Sequence, residues 1–144
     1  MSALETVVLT GESLSVDDVA RVANGAPVAL SDRAREAMEI NHKAWVGAGS
    51  PDILAGKEAW LMGVEVRATK GERIKAFVES HCAGVGALLS EPQVRALMLC
   101  RANVFATGFT GARPAAALLL IEMINQGVYP EVPSQASVGA AGDL

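Results

Sequence analysis

The side chains most able to do chemistry are few, and they lie in the second half of the chain. His81 stands beside Cys82, and Arg101, Asn103 and Arg113 interrupt stretches that are otherwise apolar. A guanidinium in apolar surroundings needs an anionic partner, and its planar fork suits a carboxylate. Arg101 and Asn103 therefore either anchor a turn or form a pocket wall. His81 either lines that pocket or packs at a helix end.

The arginines predict one of two kinds of partner. A small aromatic or carboxylate ligand would bind between the helix end at His81 and the turn at residues 108–113, where one of the arginines would contact its anionic group. The alternative is an internal partner, for which Glu122 and Asp143 are the candidates. The residues alone leave both open.

Other kinds of site are not predicted. Adjacent helical residues point about 100° apart, so His81 and Cys82 do not form a thiol–imidazole pair, and Cys82 is predicted to be a small buried thiol. Gly56-Lys57 is not part of a phosphate-binding loop, because Gly49 lies too far back and Glu58 replaces the serine or threonine that binds Mg²⁺. The sequence contains no cluster with metal-ligand spacing and no G-x-S-x-G motif.

The elements that must position these side chains are predicted to be mainly helices. A short extended arm at residues 7–10 precedes them, and serines or prolines mark most of the helix starts. The predicted helices run from Ser15 to Asn24, from Ser31 to about Gly47, over residues 71–83, from Ser90 to Gly108, and from Pro114 onward. Residues 53–66 contain an apolar set that could also lie on a helix, formed by Leu54, Trp60, Leu61 and Val64.

Two of these helices carry most of the apolar side chains. The helix after Ser90 repeats such residues at helical spacing, at Val94, Leu97, Met98, Arg101, Val104 and Phe105. Residues 115–124 are apolar on all sides apart from Glu122, which predicts a helix buried on every side. A single small domain cannot cover all those faces, so we expect a homo-oligomer or a second chain.

Composition sets the outer limits of function. The chain has 144 residues, 51% of them hydrophobic, which predicts one domain over residues 1–144 with a real core. A net charge of −4 argues against a nucleic-acid surface. The N-terminus lacks signal-peptide character, two cysteines form no disulfide framework, and the longest apolar run is too short to span a membrane. A cytoplasmic protein is therefore expected.

The last third of the chain resembles the N-terminal part of the aromatic amino acid ammonia-lyase family, which includes histidine, phenylalanine and tyrosine ammonia-lyases and aminomutases. The resemblance rests on the family pattern R-x-N-x-x-x-x-G-x-[ST]-G-x-R and on its later V-P and S-V-G-A-S-G-D-L motifs. The matching residues are Arg101, Asn103, Gly108, Thr110, Gly111, Arg113, Val132, Pro133 and residues 137–144. Residues 80–86 also resemble the family's S-H-A-x-G-[VI]-G, whose histidine lines the substrate pocket and corresponds to His81.

The resemblance implies an all-α helical bundle, a tetramer whose active sites draw on three subunits, and an electrophilic methylidene-imidazolone (MIO) group. That group forms in the family from an Ala-Ser-Gly triad, whose serine loses water. The corresponding residues are Ala140, Ala141 and Gly142, and alanine has no hydroxyl to lose. No MIO cofactor is therefore expected. The family's Y-G-x-N-T-G-F-G loop, whose tyrosine transfers protons, has no counterpart in residues 48–67, and Tyr129 is the only tyrosine.

Three functions stay open at this point, and none of them is ammonia elimination by this chain alone. The chain could be a homologue recruited to a different reaction on a small aromatic or acyl substrate, for instance in biosynthesis. It could be one subunit of a split lyase-like enzyme, an expectation that the end of the sequence directly after the triad suggests. It could also be an inactive fragment, natural or engineered by a serine-to-alanine change, with a structural or binding role.

Overall fold

The computed structural model describes residues 4–48, 70–81 and 84–135, and these residues are mostly helical. They form five helices and four short strands, which we number in chain order. The helices are α1 (Val16–Ala23), α2 (Asp32–Gly47), α3 (Lys70–His81), α4 (Glu91–Ala106) and α5 (Pro114–Gln126). The strands are β1 (Val7–Leu9), β2 (Val28–Leu30), β3 (Val85–Leu88) and β4 (Pro133–Gln135). The predicted helical fold is confirmed, and residues 53–66, which could form a further helix, lie outside the described residues.

The chain divides into two compact units. The first contains Met1–Gly49 and Leu89–Glu131, and the second contains Ser50–Leu88 and Val132–Leu144. The single domain predicted for residues 1–144 stays a prediction. Within the part of the chain that the structure describes, no helix is long and apolar enough to cross a membrane.

The pairing of the strands is the part of the fold that the sequence did not predict. In the first unit, the extended arm pairs as β1 with β2 in parallel, with Val7 opposite Val28 and Leu9 opposite Leu30. In the second unit, β3 and β4 pair antiparallel, with Val85 opposite Gln135. Only the arm was expected to be extended, because runs of three or four residues carry too few alternations to reveal a strand.

Helix ends follow the predicted caps. At α1, the Ser15 hydroxyl accepts from the Asp18 amide at 3.0 Å, and the Ser15 amide donates back to the Asp18 carboxylate at 3.2 Å. The Ser31 hydroxyl caps α2 by accepting from the Ala34 amide at 3.1 Å. Pro114 opens α5, and Gly127 ends it in the left-handed conformation, with φ of 70°.

The core of the first unit lies where α1, α4, α5 and the β1–β2 pair meet. Its fully buried side chains include Leu9, Val22, Met38, Leu99 and Ile124. The face that α4 contributes to the core differs from the predicted one. Val94 and Met98 are buried as expected, but Leu97, Arg101 and Val104 are exposed. The remaining buried positions of α4 are Arg95, Leu99, Ala102 and Ala106.

Small residues explain this choice of face. Gly11, with φ of 78°, lies so close to the end of α4 that a Cβ there would come within 2.1 Å of the Ala106 carbonyl oxygen. Alanine at positions 102 and 106 allows neighbouring backbone to approach, which larger side chains would prevent. Ranking the residues of α4 by apolar size therefore predicts the wrong side of this helix as buried.

Helix α5 is buried on one side only within this chain. Ala117, Ile121 and Ile124 lie in the core, whereas Leu118 is 42% exposed and Leu119 is 64% exposed. The first unit alone therefore leaves part of α5 exposed, as the sequence predicted, and its cover by a partner chain stays a prediction.

Candidate functional site

The 108–113 turn is held in shape by glycines and by helix α2. Gly108 and Gly111 have φ of 81° and 67°, which side-chain-bearing residues rarely adopt. Both also lie against α2, since an added Cβ would be 3.3 Å from Ala37 at the first position and 3.2 Å from Trp45 at the second. The two glycines of the family pattern are therefore explained by backbone geometry and close packing.

His42 fixes the same turn from α2. Its Nδ1 lies 2.8 Å from the carbonyl oxygen of Gly111. A carbonyl only accepts, so Nδ1 carries the hydrogen, and this contact selects that tautomer in the neutral ring. The sequence pattern indicated His81 as a site residue and did not indicate His42. No sequence signal could have revealed it, because its partner is a backbone carbonyl 69 residues away.

A shallow groove of about 260 Å³ lies beside the turn. Asn41, Trp45 and Phe109 contribute its side chains. Phe109 is 90% exposed and Trp45 is 44% exposed, so the groove presents an aromatic surface to solvent. The Asn41 amide group donates to the Ala37 carbonyl at 3.0 Å, which fixes its orientation on the helix.

The two arginines and the asparagine of the R-x-N-x-x-x-x-G-x-[ST]-G-x-R pattern do not form a buried cluster. Arg101 and Arg113 are exposed, and Asn103 is half-buried. None of their side chains makes a hydrogen bond or ion pair with the residues that the structure describes. The premise that Arg101 needs a partner because it is buried among apolar residues is therefore wrong. Glu122 is not its partner, and Asp143 lies outside the described residues.

The buried guanidinium of this unit belongs instead to Arg95, which sequence analysis did not single out. Arg95 is 7% exposed, and its Nε donates to the Val22 carbonyl at 2.6 Å. Its two terminal nitrogens donate to the Ala26 carbonyl at 3.1 Å and to the Ile124 carbonyl at 3.0 Å. Arg95 also donates to the Tyr129 hydroxyl, and its Cζ lies 5.7 Å from the centre of that ring.

This arrangement is structural rather than catalytic. Val22 and Ile124 lie in the last turns of α1 and α5, where carbonyl groups have no partner within the helix. A cation there is also favoured by both helix dipoles. Arg95 therefore joins the ends of two helices, and Tyr129, the only tyrosine of the chain, is engaged in that contact.

In the second unit, glycines hold β3 against β4. A Cβ at Gly84 would lie 2.8 Å from the Pro133 ring, and one at Gly86, where φ is 89°, would lie 3.0 Å from the Ser134 hydroxyl. These are the glycines of the S-H-A-x-G-[VI]-G pattern, and close strand packing explains them. Because the strands are antiparallel, the chain enters β3 from His81 and leaves β4 towards residue 136 at the same end of the pair.

The remaining predicted site residues are only partly described. His81 is the last residue of α3, as the sequence predicted for a helix end, and the pocket role of its side chain stays a prediction. Cys82 and the triad Ala140, Ala141 and Gly142 lie outside the described residues. Over residues 4–48, 70–81 and 84–135, no group of three histidine, cysteine, aspartate or glutamate residues could hold a metal ion.

Comparisons with known proteins give a consistent set of similarities. The aromatic amino acid lyase family model matches residues 60–144. The chain is 43% identical over 148 residues to a histidine ammonia-lyase of Anaeromyxobacter sp. (strain K), covering 98% of this chain and 29% of that protein. It is 40% identical over 154 residues to a probable histidine ammonia-lyase of Halobacterium salinarum, covering 97% and 28% respectively.

Two solved structures are similar to this chain in fold. A tyrosine aminomutase mutant with bound ligand superposes with a TM-score of 0.79 at 29% identity, covering 93% of this chain and 27% of that one. An ergothionase from Treponema denticola, in complex with desmethyl-ergothioneine sulfonic acid, gives a TM-score of 0.75 at 27% identity, covering 93% and 28%. The chain thus spans less than a third of the length of these relatives.

Proposed function

Because the chain belongs to the aromatic amino acid lyase family, we propose that it serves as the N-terminal part of a lyase-like assembly that works without an MIO group. In this proposal the chain does not eliminate ammonia from amino acids by itself. Its site acts on, or binds, a small aromatic or carboxylate ligand once a further chain covers α4 and α5. The observation that carries the proposal is the exposed apolar face of these two helices.

Four large apolar side chains of these two helices are exposed within this chain. Leu97 and Val104 of α4 are 50% and 45% exposed, and Leu118 and Leu119 of α5 are comparably or more exposed. Each large apolar side chain that stays in water forgoes about 1.5–3 kcal/mol of burial energy. Several such side chains on adjacent helices are typical of an interface. A homo-oligomer or a second lyase-like chain would provide the cover.

The chemistry of the triad argues against the family's cofactor. The glycine nitrogen could still attack the carbonyl of Ala140, but the exocyclic methylene requires loss of a hydroxyl, and Ala141 has only a methyl group. The residues present therefore do not fit an MIO group. Tyr129 does not replace the family's loop tyrosine, since its hydroxyl contacts Arg95 at the ends of α1 and α5. Covalent electrophilic catalysis has no other evident source here.

The exposed arginines support a role in binding anionic groups. Arg101 and Arg113 have no partner among the described residues, and a guanidinium suits a carboxylate. A cytoplasmic location fits this reading. The alternative function is an inactive fragment with a structural or binding role, which the alanine at position 141 favours.

The assembly is tested by sedimentation of the purified chain at micromolar concentration. We expect an oligomer, and we expect Leu118→Ser with Leu119→Ser to shift it towards smaller species. Val16→Ser is the matched control, because Val16 is 87% exposed on α1, outside the α4–α5 face. A soluble, well-folded monomer of the unsubstituted chain would refute the proposed self-assembly.

The catalytic part is tested by ammonia release. Histidine, phenylalanine and tyrosine should each give no more ammonia with the purified chain than with a heat-inactivated sample. Ala141→Ser should not restore activity, because no residue in the 48–67 segment replaces the family's tyrosine loop. Ammonia release by the unsubstituted chain above the control would contradict the proposal.

A further inference from the structure

Over residues 4–48, 70–81 and 84–135, the outer edge of strand β2 has one residue whose amide and carbonyl have no hydrogen-bond partner. In the parallel β1–β2 ladder, the Val7 amide donates to the Pro27 carbonyl at 2.9 Å, and the Ser31 amide donates to the Leu9 carbonyl at 3.0 Å. This pattern directs the amide and carbonyl of Val28 and Leu30 away from β1. The same two residues therefore form the outer edge of the sheet.

At Val28 the edge is already occupied by a side chain that imitates a neighbouring strand. The Val28 amide donates to Asn125 Oδ1 at 2.8 Å, and Asn125 Nδ2 donates to the Val28 carbonyl at 2.8 Å. A primary amide presents the same donor and acceptor pair as a peptide group. Leu30 has no such partner, because neither its amide nor its carbonyl is bonded outward to any residue that the structure describes.

A groove lies directly beside Leu30. It measures about 540 Å³ and runs between β2 and α5. Leu118 and Ile121 give it an apolar floor, and Glu122 is its only charged residue. Leu30, Asn125 and Gln126 supply polar groups along its length. The groove thus combines a strand edge, apolar side chains and one negative charge.

We infer that this groove binds an extended segment of a partner protein by strand addition at Leu30, with a basic side chain of that segment next to Glu122. The backbone of the segment would donate to and accept from Leu30, continuing the pattern that Asn125 begins at Val28. Alternate apolar side chains would lie over Leu118 and Ile121, because side chains of a strand alternate in direction. The inference rests on the Leu30 edge and Glu122 rather than on the proposed assembly, with which the groove shares Leu118.

The test uses an N-acetylated, C-amidated synthetic peptide of about seven residues that alternates valine with lysine, a length typical of a strand. Amide hydrogen exchange, followed by NMR, reports on β2 directly. In the free protein the Leu30 amide should exchange fast while the Val28 and Ser31 amides are protected. At saturating peptide, the Leu30 exchange rate should fall on the order of tenfold or more.

Two matched comparisons identify the contacts. Glu122→Gln should weaken peptide binding about two- to fivefold, as expected for an exposed charge pair. Glu131→Gln, an exposed carboxylate that does not line the groove, should leave it unchanged. Methylation of the backbone nitrogen of the central valine removes the donor for the Leu30 carbonyl and should abolish binding without altering the protein.

Four outcomes would overturn the inference. One is that the Leu30 amide is already protected in dilute free protein. Another is that its exchange stays unchanged at millimolar peptide, which would mean that water satisfies the edge. Protection that grows with protein concentration in the absence of peptide would identify a second copy as the occupant. Equal binding of a valine–glutamate peptide would rule out a basic segment.

Discussion

Replacing Arg95 by methionine should destabilise the first unit far more than removal of any surface arginine. Methionine keeps an unbranched apolar stem of similar length, so that the change removes mainly the guanidinium. Three buried backbone carbonyls and the Tyr129 hydroxyl lose their charged donor. The lost contacts join the ends of α1 and α5, which lie far apart in the sequence.

The structure allows the size of the effect to be worked out. The Val22 carbonyl also accepts from the Gly25 amide at 3.0 Å, and the Ile124 carbonyl from the Gly127 amide at 3.4 Å. These two keep a partial partner, whereas no other described donor reaches the Ala26 carbonyl, whose residue is fully buried. One full desolvation penalty and two weakened contacts to a charged donor suggest a loss of about 3–5 kcal/mol in the free energy of unfolding.

Urea denaturation followed by far-UV circular dichroism measures this loss, and amide exchange in α1 and α5 assigns it to the first unit. Arg33→Met is the control, because the Arg33 side chain is 83% exposed and, among the described residues, pairs only with Glu12, at 2.9 Å. That surface ion pair is worth about 0–1 kcal/mol. Tyr129→Phe removes one acceptor and should cost about 0.5–1.5 kcal/mol. A loss for Arg95→Met no greater than that for Arg33→Met would refute the structural role of Arg95.

Three further changes should have distinct effects. Gly11→Ala should destabilise the first unit by more than 2 kcal/mol, roughly the cost of a positive φ plus a clash with the Ala106 carbonyl, as thermal unfolding would show. The pKa of the Asp18 carboxyl lies below its ordinary value, chiefly because the Ser15 hydroxyl and amide donate to it. The stability that this contact contributes is therefore present above the ordinary carboxyl pKa and lost as pH falls through the lowered one, which an NMR titration of Asp18 would follow. Asn125→Ala should leave the Val28 amide of strand β2 without its side-chain partner. We expect the free energy of unfolding to fall by about 1–3 kcal/mol and that amide to exchange faster.

Each of these changes has a matched comparison. Gly25→Ala has a similarly positive φ, of 104°, but meets only a leucine methyl at 3.8 Å, so it should cost less than Gly11→Ala. Asp17→Asn in the same helical turn leaves the Ser15–Asp18 contact in place, so the dependence of stability on pH should be unchanged, whereas Asp18→Asn should remove it. Gln126→Ala lies beside Asn125 in α5 and should leave strand β2 unaffected. Equal effects within any pair would show that the assigned contact is not the cause.

The sequence predicted most helix boundaries because their signals are local. The first backbone amides of a helix have no partner within it; a serine can accept from them, and a proline has no amide hydrogen to satisfy. The helix starts lie where the pattern placed them, at Ser15, Ser31, Ser90 and Pro114. The long similarity to the lyase family likewise predicted the fold class, since a match of that length and spacing reports on the whole backbone.

The candidate site was less predictable because its key contacts are with the backbone. Arg95 and His42 bind carbonyl oxygens of residues far away in the sequence, and a carbonyl group gives no sign of itself in the residue types. Arg101 was expected to be buried because its neighbours are apolar. It is exposed because α4 packs through the side that carries Ala102 and Ala106, where small size outweighs hydrophobicity.

The pairing of β3 with β4 also bears on how the chain folds as it is made. Pro133–Gln135 must leave the ribosome before β3 finds its partner, and α4 and α5 are synthesised in between. Those two helices can therefore begin packing with α1 before the second unit closes, since the contacts of the first unit are complete by Glu131. A nascent chain stalled just past Glu131 would then hold a formed first unit and an unclosed second one, a state in which β3 is a strand edge that cellular chaperones could bind.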